Sequence, residues 1–128
     1  MTQSKAPPRR VLIVDDNEDA ANSLAMILKL SGHETTPVYT AEDALERAST
    51  FKPDVVLLDI GLPGMDGYEV AQKMRELPGL RGIRLVALTG YGRSDDRLRA
   101  REAGFDDHLT KPVEFALLDR ALAAVRPR

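Results

Sequence analysis

The chain has 128 residues, a formal net charge of −2 with both signs interspersed, and no cysteine. This length favours one domain with its own core, and the missing cysteine excludes disulfides and thiolate metal sites. The mixed charge, the lack of a long apolar run and the polar start argue against a nucleic-acid surface, a transmembrane helix and a signal peptide. We therefore expect a cytoplasmic domain that contacts neither nucleic acid nor membrane.

The first half of the chain alternates between strand and helix patterns. Residues 1–8 are polar and contain prolines, so we expect a flexible tail or linker there, followed by a domain over residues 9–126. Val11–Val14 is a continuous apolar run, which is typical of a strand buried on both faces. The segment 33–39 contains polar residues and a proline, which predicts an edge strand. Thr40 then has the position of a helix N-cap.

The second half repeats this alternation, with Gly/Pro clusters between the elements. In chain order we expect a strand at 55–59, a helix from 66 or 67, a strand at 83–88, a weakly apolar helix at 94–103, a strand at 105–110 and a final helix before Pro127. The helix residues expected to face the core are Leu24, Ile27, Leu28, Ala44, Leu45, Ala48, Val70, Met74, Leu77, Leu117, Leu118, Ala121, Leu122 and Val125. Five strand–helix units in succession predict an α/β fold, a doubly wound five-stranded parallel sheet with helices on both faces.

Polar side chains follow four of the predicted strands. Asp15 and Asp16 follow the first strand, and Asp59 ends the third. Thr89 ends the fourth strand and Lys111 follows the fifth. Because the carboxyl ends of parallel strands meet at one edge of a sheet, we expect these groups to lie together. Clustered carboxylates repel one another unless a cation intervenes, oxygen ligands favour Mg²⁺, and a lysine and a hydroxyl beside them suit an aspartyl phosphate.

Four sequence motifs coincide with these strand ends. They are Val-Asp-Asp-Asn at 14–17, Asp-Ile-Gly-Leu-Pro-Gly-Met-Asp-Gly at 59–67, Ala-Leu-Thr-Gly at 87–90 and Thr-Lys-Pro at 110–112. Together and in this order they resemble the receiver domain of bacterial two-component response regulators, over residues from about 9 to 125. The resemblance implies a flavodoxin-like (βα)5 fold with strand order 2-1-3-4-5.

The resemblance also implies roles for single residues. Asp59 is the expected phosphoacceptor, Thr89 the residue that hydrogen-bonds the phosphoryl group after activation, and Lys111 its cationic partner. The Lys111–Pro112 peptide bond is expected to be cis. The implied Mg²⁺ ligands are Asp15 (mainly through water), Asp16, Asp59 and the backbone carbonyl of Gly61.

The resemblance further implies the partners. The phosphodonor is expected to be a histidine kinase or a histidine phosphotransfer protein, and a downstream protein is expected to bind the face formed by residues 94–125. His108 stands where the family usually has a Tyr or Phe switch residue, and it could swing inward with Thr89 or simply pack. We expect a monomer or weak dimer.

The wider context of the domain has two readings. It is either a stand-alone regulator or the receiver of a hybrid histidine kinase, and the linker-like residues 4–8 together with His108 favour the hybrid kinase. In both cases we expect no DNA-binding output in this chain.

Several alternatives remain beside this reading. The acidic pair Asp15–Asp16 alone could be charges at a helix N-terminus, and the arginines at 93–101 are expected to form a solvated helix face rather than a nucleic-acid site. His33 is expected to be an exposed turn residue. The competing functions are an Mg²⁺-dependent phosphohydrolase with Asp59 as nucleophile, which so short a chain leaves without a substrate-reading cap, and a binding module that is independent of phosphorylation.

Overall fold

The chain alternates between strands and helices from its first described residues onward. The computed structural model describes residues 8–62, 64, 66–80, 82–90 and 101–123. Their elements are β1 (Arg10–Val14), α1 (Glu18–Leu30), β2 (Glu34–Val38), α2 (Ala41–Phe51), β3 (Val55–Asp59), α3 (Gly67–Glu76), β4 (Arg84–Thr89), β5 (Asp107–Thr110) and α4 (Phe115–Ala123). None of the helices in these ranges is both long and apolar enough to span a bilayer.

The strands form one parallel sheet in the order β2-β1-β3-β4-β5. This confirms the predicted fold class and strand order. The edge strand β2 carries Pro37 opposite Ile13, as expected for a residue that cannot donate to a central ladder. The register aligns Asp59 with Leu88 of β4. The carboxyl ends of the strands therefore lie nearly level along one edge.

Alternate residues of the central strands point to opposite faces of the sheet and contribute to two apolar layers, one on each face. On one face, Val11, Ile13 and their counterparts pack under α1 and α4, with Ala21, Ala25, Leu28, Leu118, Ala121 and Leu122. On the other face, Leu12, Val14 and their counterparts pack under α2 and α3, with Ala44, Ala48, Val70, Ala71 and Met74. Because both faces are covered, the strands have the continuous apolar sequence seen in Val11–Val14 and Val55–Leu58.

Side-chain caps define where three helices begin. Thr40 accepts a hydrogen bond from the Asp43 N–H at 3.1 Å, which confirms it as the N-cap of α2. Asp66 caps α3 by accepting from the Tyr68 N–H at 2.9 Å. Asn17 caps α1 by accepting from the Ala20 N–H at 3.1 Å. Because Asn17 is the N-cap, Asp15 and Asp16 precede the helix and do not cap it.

Three expectations about single side chains were wrong. Ile27 and Leu117 are 48% and 45% exposed, because the buried stripes of α1 and α4 run through the neighbouring Leu28 and Leu118. His33 is 4% exposed, because the turn after α1 directs its ring into the structure. Leu77, by contrast, packs against the core as predicted, although it is the C-cap of α3 and lies just outside the helix.

One predicted helix falls largely outside the described part of the chain. Of the segment 94–103, the structure describes the last three residues, and Arg101 and Glu102 are helical. Gly104, with a φ of +102°, follows in a conformation that favours glycine. Val125 also lies outside the described residues.

Candidate functional site

Asp59 lies at the end of β3, between the ends of β1 and β4. Its side chain is 14% exposed. One carboxylate oxygen, Oδ1, accepts a hydrogen bond from the Gly61 N–H at 2.8 Å. The other, Oδ2, accepts from the Lys111 Nζ at 3.0 Å. Both oxygens are therefore held in place, and the side chain is still partly exposed to solvent.

Asp15 occupies the equivalent place after β1 and is buried. Its Oδ1 accepts from the Asn17 N–H at 3.0 Å, and its Oδ2 accepts from the Lys111 Nζ at 3.0 Å. A carboxylate at this depth needs such partners, since desolvation of an unpaired charge is costly. Asp16, the next residue, points to the surface and is exposed.

Lys111 bridges the carboxylates of Asp15 and Asp59. It follows β5, and its backbone N–H donates to the Thr89 carbonyl at 2.8 Å. Partial burial opposes the charge of the ammonium, but the hydrogen bonds and charges of Asp15 and Asp59 outweigh it, so the pKa of Lys111 lies above its usual value. The Lys111–Pro112 peptide bond is cis, the form that the resemblance implies.

The three aspartates have the composition and spacing of a hard-cation site. One carboxylate oxygen from each of Asp15, Asp16 and Asp59 lies within 4.8 Å of the others. The ligand atoms are carboxylate oxygens, and the three side chains range from buried (Asp15) to exposed (Asp16). Such a site suits an Mg²⁺ ion that keeps part of its water shell. Gly61 also lies at this site, because its N–H is bonded to Asp59.

Thr89 and His108 lie on neighbouring strands at the same edge. Thr89 is buried, and its Oγ1 donates to the Leu109 carbonyl at 3.5 Å, a long and therefore weak hydrogen bond. His108 is partly exposed and pairs in register with Ala87, two residues before Thr89. Since side chains alternate along a strand, Thr89 and His108 face the same side of the sheet.

The loop after Asp59 depends on a close approach that the sequence did not reveal. The Gly67 N–H bonds back to the Ile60 carbonyl at 3.4 Å. A Cβ on Gly67 would lie 2.5 Å from the Ile60 Cα, so only glycine fits there without a backbone shift. The Asn17 contact to Asp15 was also missed, although an Asn directly after an acidic pair is a signal for an N-cap that could have indicated it.

Comparison with known proteins places this arrangement in a family. The model of the response regulator receiver domain matches residues 11–123. The chain belongs to the response regulator receiver family. The predicted resemblance is thus confirmed over nearly the whole described domain.

Two relatives and one solved structure illustrate the range of this receiver's similarity. The transcriptional regulatory protein PrrA of Mycobacterium leprae is 38% identical over 120 residues, which cover 93% of this chain and 51% of PrrA. An uncharacterized 14.6 kDa protein of Leptolyngbya boryana is 38% identical over 104 residues, 81% of this chain and 79% of that protein. The CheY-like receiver domain of Methylobacillus flagellatus is 30% identical, with a TM-score of 0.81, covering 94% of this chain and all of that one. This chain therefore spans about half the length of PrrA.

Membership of the receiver family indicates the general role of the chain. Receiver domains are phosphoacceptor signalling domains rather than conventional enzymes, and they interact with histidine kinases or phosphotransfer proteins. They generally bind Mg²⁺ at an acidic cluster, and the group formed by Asp15, Asp16 and Asp59 fits that role.

Proposed function

We propose that Asp59 accepts a phosphoryl group from a phosphohistidine of a histidine kinase or phosphotransfer protein. The observation that supports this best is the Lys111 ammonium, which lies 3.0 Å from both Asp15 and Asp59 at the edge of the sheet. A cation fixed beside a partly exposed carboxylate can stabilise added negative charge without reorganising.

The reaction is a transfer between two nucleophiles. A carboxylate oxygen of Asp59 attacks phosphorus, the phosphorus–nitrogen bond of the phosphohistidine breaks, and its electron pair remains on the departing imidazole, which takes up a proton from solvent. Mg²⁺, held by Asp15, Asp16, Asp59 and the backbone carbonyl of Gly61, would supply charge neutralisation for the phosphoryl oxygens. The ammonium of Lys111 exchanges its hydrogen bond to Asp59 for one to the new phosphoryl group.

The proposed readout begins at Thr89. Its long hydrogen bond to the Leu109 carbonyl is easily given up, so the hydroxyl can turn towards a phosphoryl oxygen. His108, on the same side of the sheet, would then repack and alter the face formed by residues 94–125. That face would bind the downstream protein.

The proposed context is a cytoplasmic receiver with protein contact or phosphotransfer as its output. Its relatives include PrrA, of which the receiver is about half, and the Leptolyngbya protein, of which it is most. Both a stand-alone regulator and the receiver of a hybrid histidine kinase agree with these lengths. We propose that this domain is a monomer or weak dimer.

The acceptor is tested with acetyl phosphate and Mg²⁺, followed by intact-protein mass spectrometry. We expect a mass increase of one phosphoryl group that disappears in Asp59→Asn. Asp43→Asn, which changes an exposed carboxylate in the first turn of α2, is the matched control and should label like the wild type. Labelling that persists in Asp59→Asn refutes the proposal, and rapid turnover of phosphate monoesters without accumulated label would favour the phosphohydrolase instead.

A further inference from the structure

His33 lies at the opposite end of the sheet from the acidic site, in the turn between α1 and β2. Its backbone N–H donates to the Leu28 carbonyl at 3.1 Å, which holds the turn against the end of α1. Its ring is buried, at 4% exposure. The ring Nδ1 accepts a hydrogen bond from the Arg9 N–H at 3.0 Å. A side chain thus binds the backbone of the residue that precedes β1.

Both backbone polar groups of Arg9 form hydrogen bonds, with residues 33 and 34. Its N–H bonds to the His33 ring, and its carbonyl accepts from the Glu34 N–H at 2.9 Å. The second bond belongs to the ladder between β1 and β2, and the first extends that ladder by one position through a side chain. The chain therefore enters the domain through a contact that depends on the state of one imidazole ring.

The contact requires a neutral ring of one tautomer. Nδ1 can accept from the Arg9 N–H only when it carries no hydrogen, so the ring hydrogen is on Nε2. Nε2 is buried and has no hydrogen-bond partner within the described part of the chain. Protonation of the ring would place a hydrogen on Nδ1 directly against the Arg9 N–H. Two donors would then face each other and the contact would be lost.

The charges around the ring act in both directions. Burial lowers the pKa of His33 below its usual value of 6.5, the carboxylate of Asp119 on α4 raises it, and the charge of Arg9 lowers it. The adjacent Glu34 is ion-paired with Arg10 at 3.0 Å. Asp119 thus favours the protonated ring, whereas the hydrogen bond from the Arg9 N–H favours the neutral one.

We propose that His33 is an acid-sensitive tether, which holds the segment entering at Arg9 when its ring is neutral and releases it when the ring is protonated. The proposal is independent of phosphorylation at Asp59. The stability that the tether gives is complete above the usual histidine pKa of 6.5, and it is lost as the pH falls through the lower pKa of His33 in the folded protein. Mild acidification would therefore loosen the entry of the chain while leaving the acidic site in place.

The tether is tested by NMR on the whole chain between neutral and mildly acidic pH. In the wild type we expect a coupling across the hydrogen bond between the Arg9 nitrogen and Nδ1 at neutral pH. That coupling should vanish with the same midpoint as the ring titration, below 6.5. The hydrogen-exchange protection of the Arg9 amide, corrected for intrinsic rate, should fall about five- to tenfold over that range, as for loss of one neutral hydrogen bond.

His33→Asn is the matched variant, because its amide oxygen can replace Nδ1 as acceptor but does not titrate. We expect the Arg9 amide in this variant to stay protected at both pH values. Asp119→Asn should move the ring midpoint further down, since it removes the charge that favours the imidazolium. An Arg9 amide that does not respond while the His33 ring titrates, or an acid-dependent loss that persists in a folded His33→Asn, overturns the proposal. Should His33→Asn fail to fold, the wild-type coupling decides alone.

Discussion

Replacing Lys111 with alanine tests whether its ammonium holds the acidic site together. The change removes two charge-assisted hydrogen bonds, to Asp15 and to Asp59, each 3.0 Å long. It leaves Asp15 with the Asn17 N–H and Asp59 with the Gly61 N–H as partners. Two carboxylates would then face each other without an intervening cation, so the folded state should be destabilised.

The size of the effect follows from burial. The side chains of Asp15 and Asp59 are 5% and 14% exposed, but that of Lys111 is 35% exposed. Breaking a fully buried pair costs about 3–5 kcal/mol and breaking a surface pair about 0–1 kcal/mol. Because solvent screens the lysine end, we expect a loss of about 2 kcal/mol, or roughly 6–10 °C in Tm for a domain of this size.

Urea denaturation at neutral pH, without added divalent cation, measures this loss. Because the pKa of Lys111 is raised, its ammonium contributes fully to stability at any pH below the usual lysine pKa of 10.5. A measurement at neutral pH therefore records the whole contribution. Lys73→Ala, on the exposed face of α3, is the control and should change little. The double variant Lys111→Ala/Asp59→Asn should lose less stability than the two single variants added together, because one of the two facing carboxylate charges is gone. A Lys111→Ala protein within about 0.5 kcal/mol of the wild type would falsify the reasoning.

Two further predictions concern the packing that supports the site. Gly67→Ala should destabilise the fold by about 1–3 kcal/mol in urea titrations, because its Cβ would lie 2.5 Å from the Ile60 Cα. Gly82→Ala is the control and should be neutral, since no atom lies within 4 Å of its Cβ. Equal losses of stability in the two variants would contradict the clash. Arg75→Met should lower stability by about 2–4 kcal/mol, because the guanidinium donates to the carbonyls of Ile83 and Gly104 and to the Asp106 carboxylate at 2.6–3.2 Å. The exposed Arg47→Met on α2 is its control, and an Arg75 variant as stable as that control would show that these contacts contribute nothing.

The sequence predicted the sheet well because the strands are encoded locally. Val11–Val14 and Val55–Leu58 are apolar at every position, and only a strand covered on both faces requires this. Pro37 indicated the edge strand in the same direct way. The helix faces were harder, because buried alanines form much of the stripe of α1. Ile27 has a stronger apolar signal than Ala21 or Ala25 but lies on the exposed side.

The sequence predicted which residues form the candidate site but not the hydrogen bonds between them. Asp15 and Lys111 each follow a strand and Asp59 ends one, so parallel topology alone brings them together. That Lys111 reaches both carboxylates depends on side-chain geometry across 96 and 52 residues of sequence, which no local pattern encodes. The burial of His33 was missed for the same reason. Its partner Arg9 lies 24 residues away, and a histidine after Ser-Gly has the local signature of an exposed turn.

The contacts of Lys111 suggest how a change at one carboxylate could spread through the sheet. Its ammonium joins the ends of β1 and β3, and its backbone N–H joins the end of β5 to the Thr89 carbonyl of β4. A phosphoryl group on Asp59 would take over the ammonium hydrogen bond that Asp59 now accepts, and it would also offer Thr89 a better acceptor than the carbonyl 3.5 Å away. Both rearrangements act on the end of β4, where Thr89 pairs with Thr110 immediately before Lys111. The hydrogen bonds that hold the acceptor in the unmodified protein are therefore the ones that its phosphorylation would redistribute, which supports β4 and β5 as the route of the proposed readout.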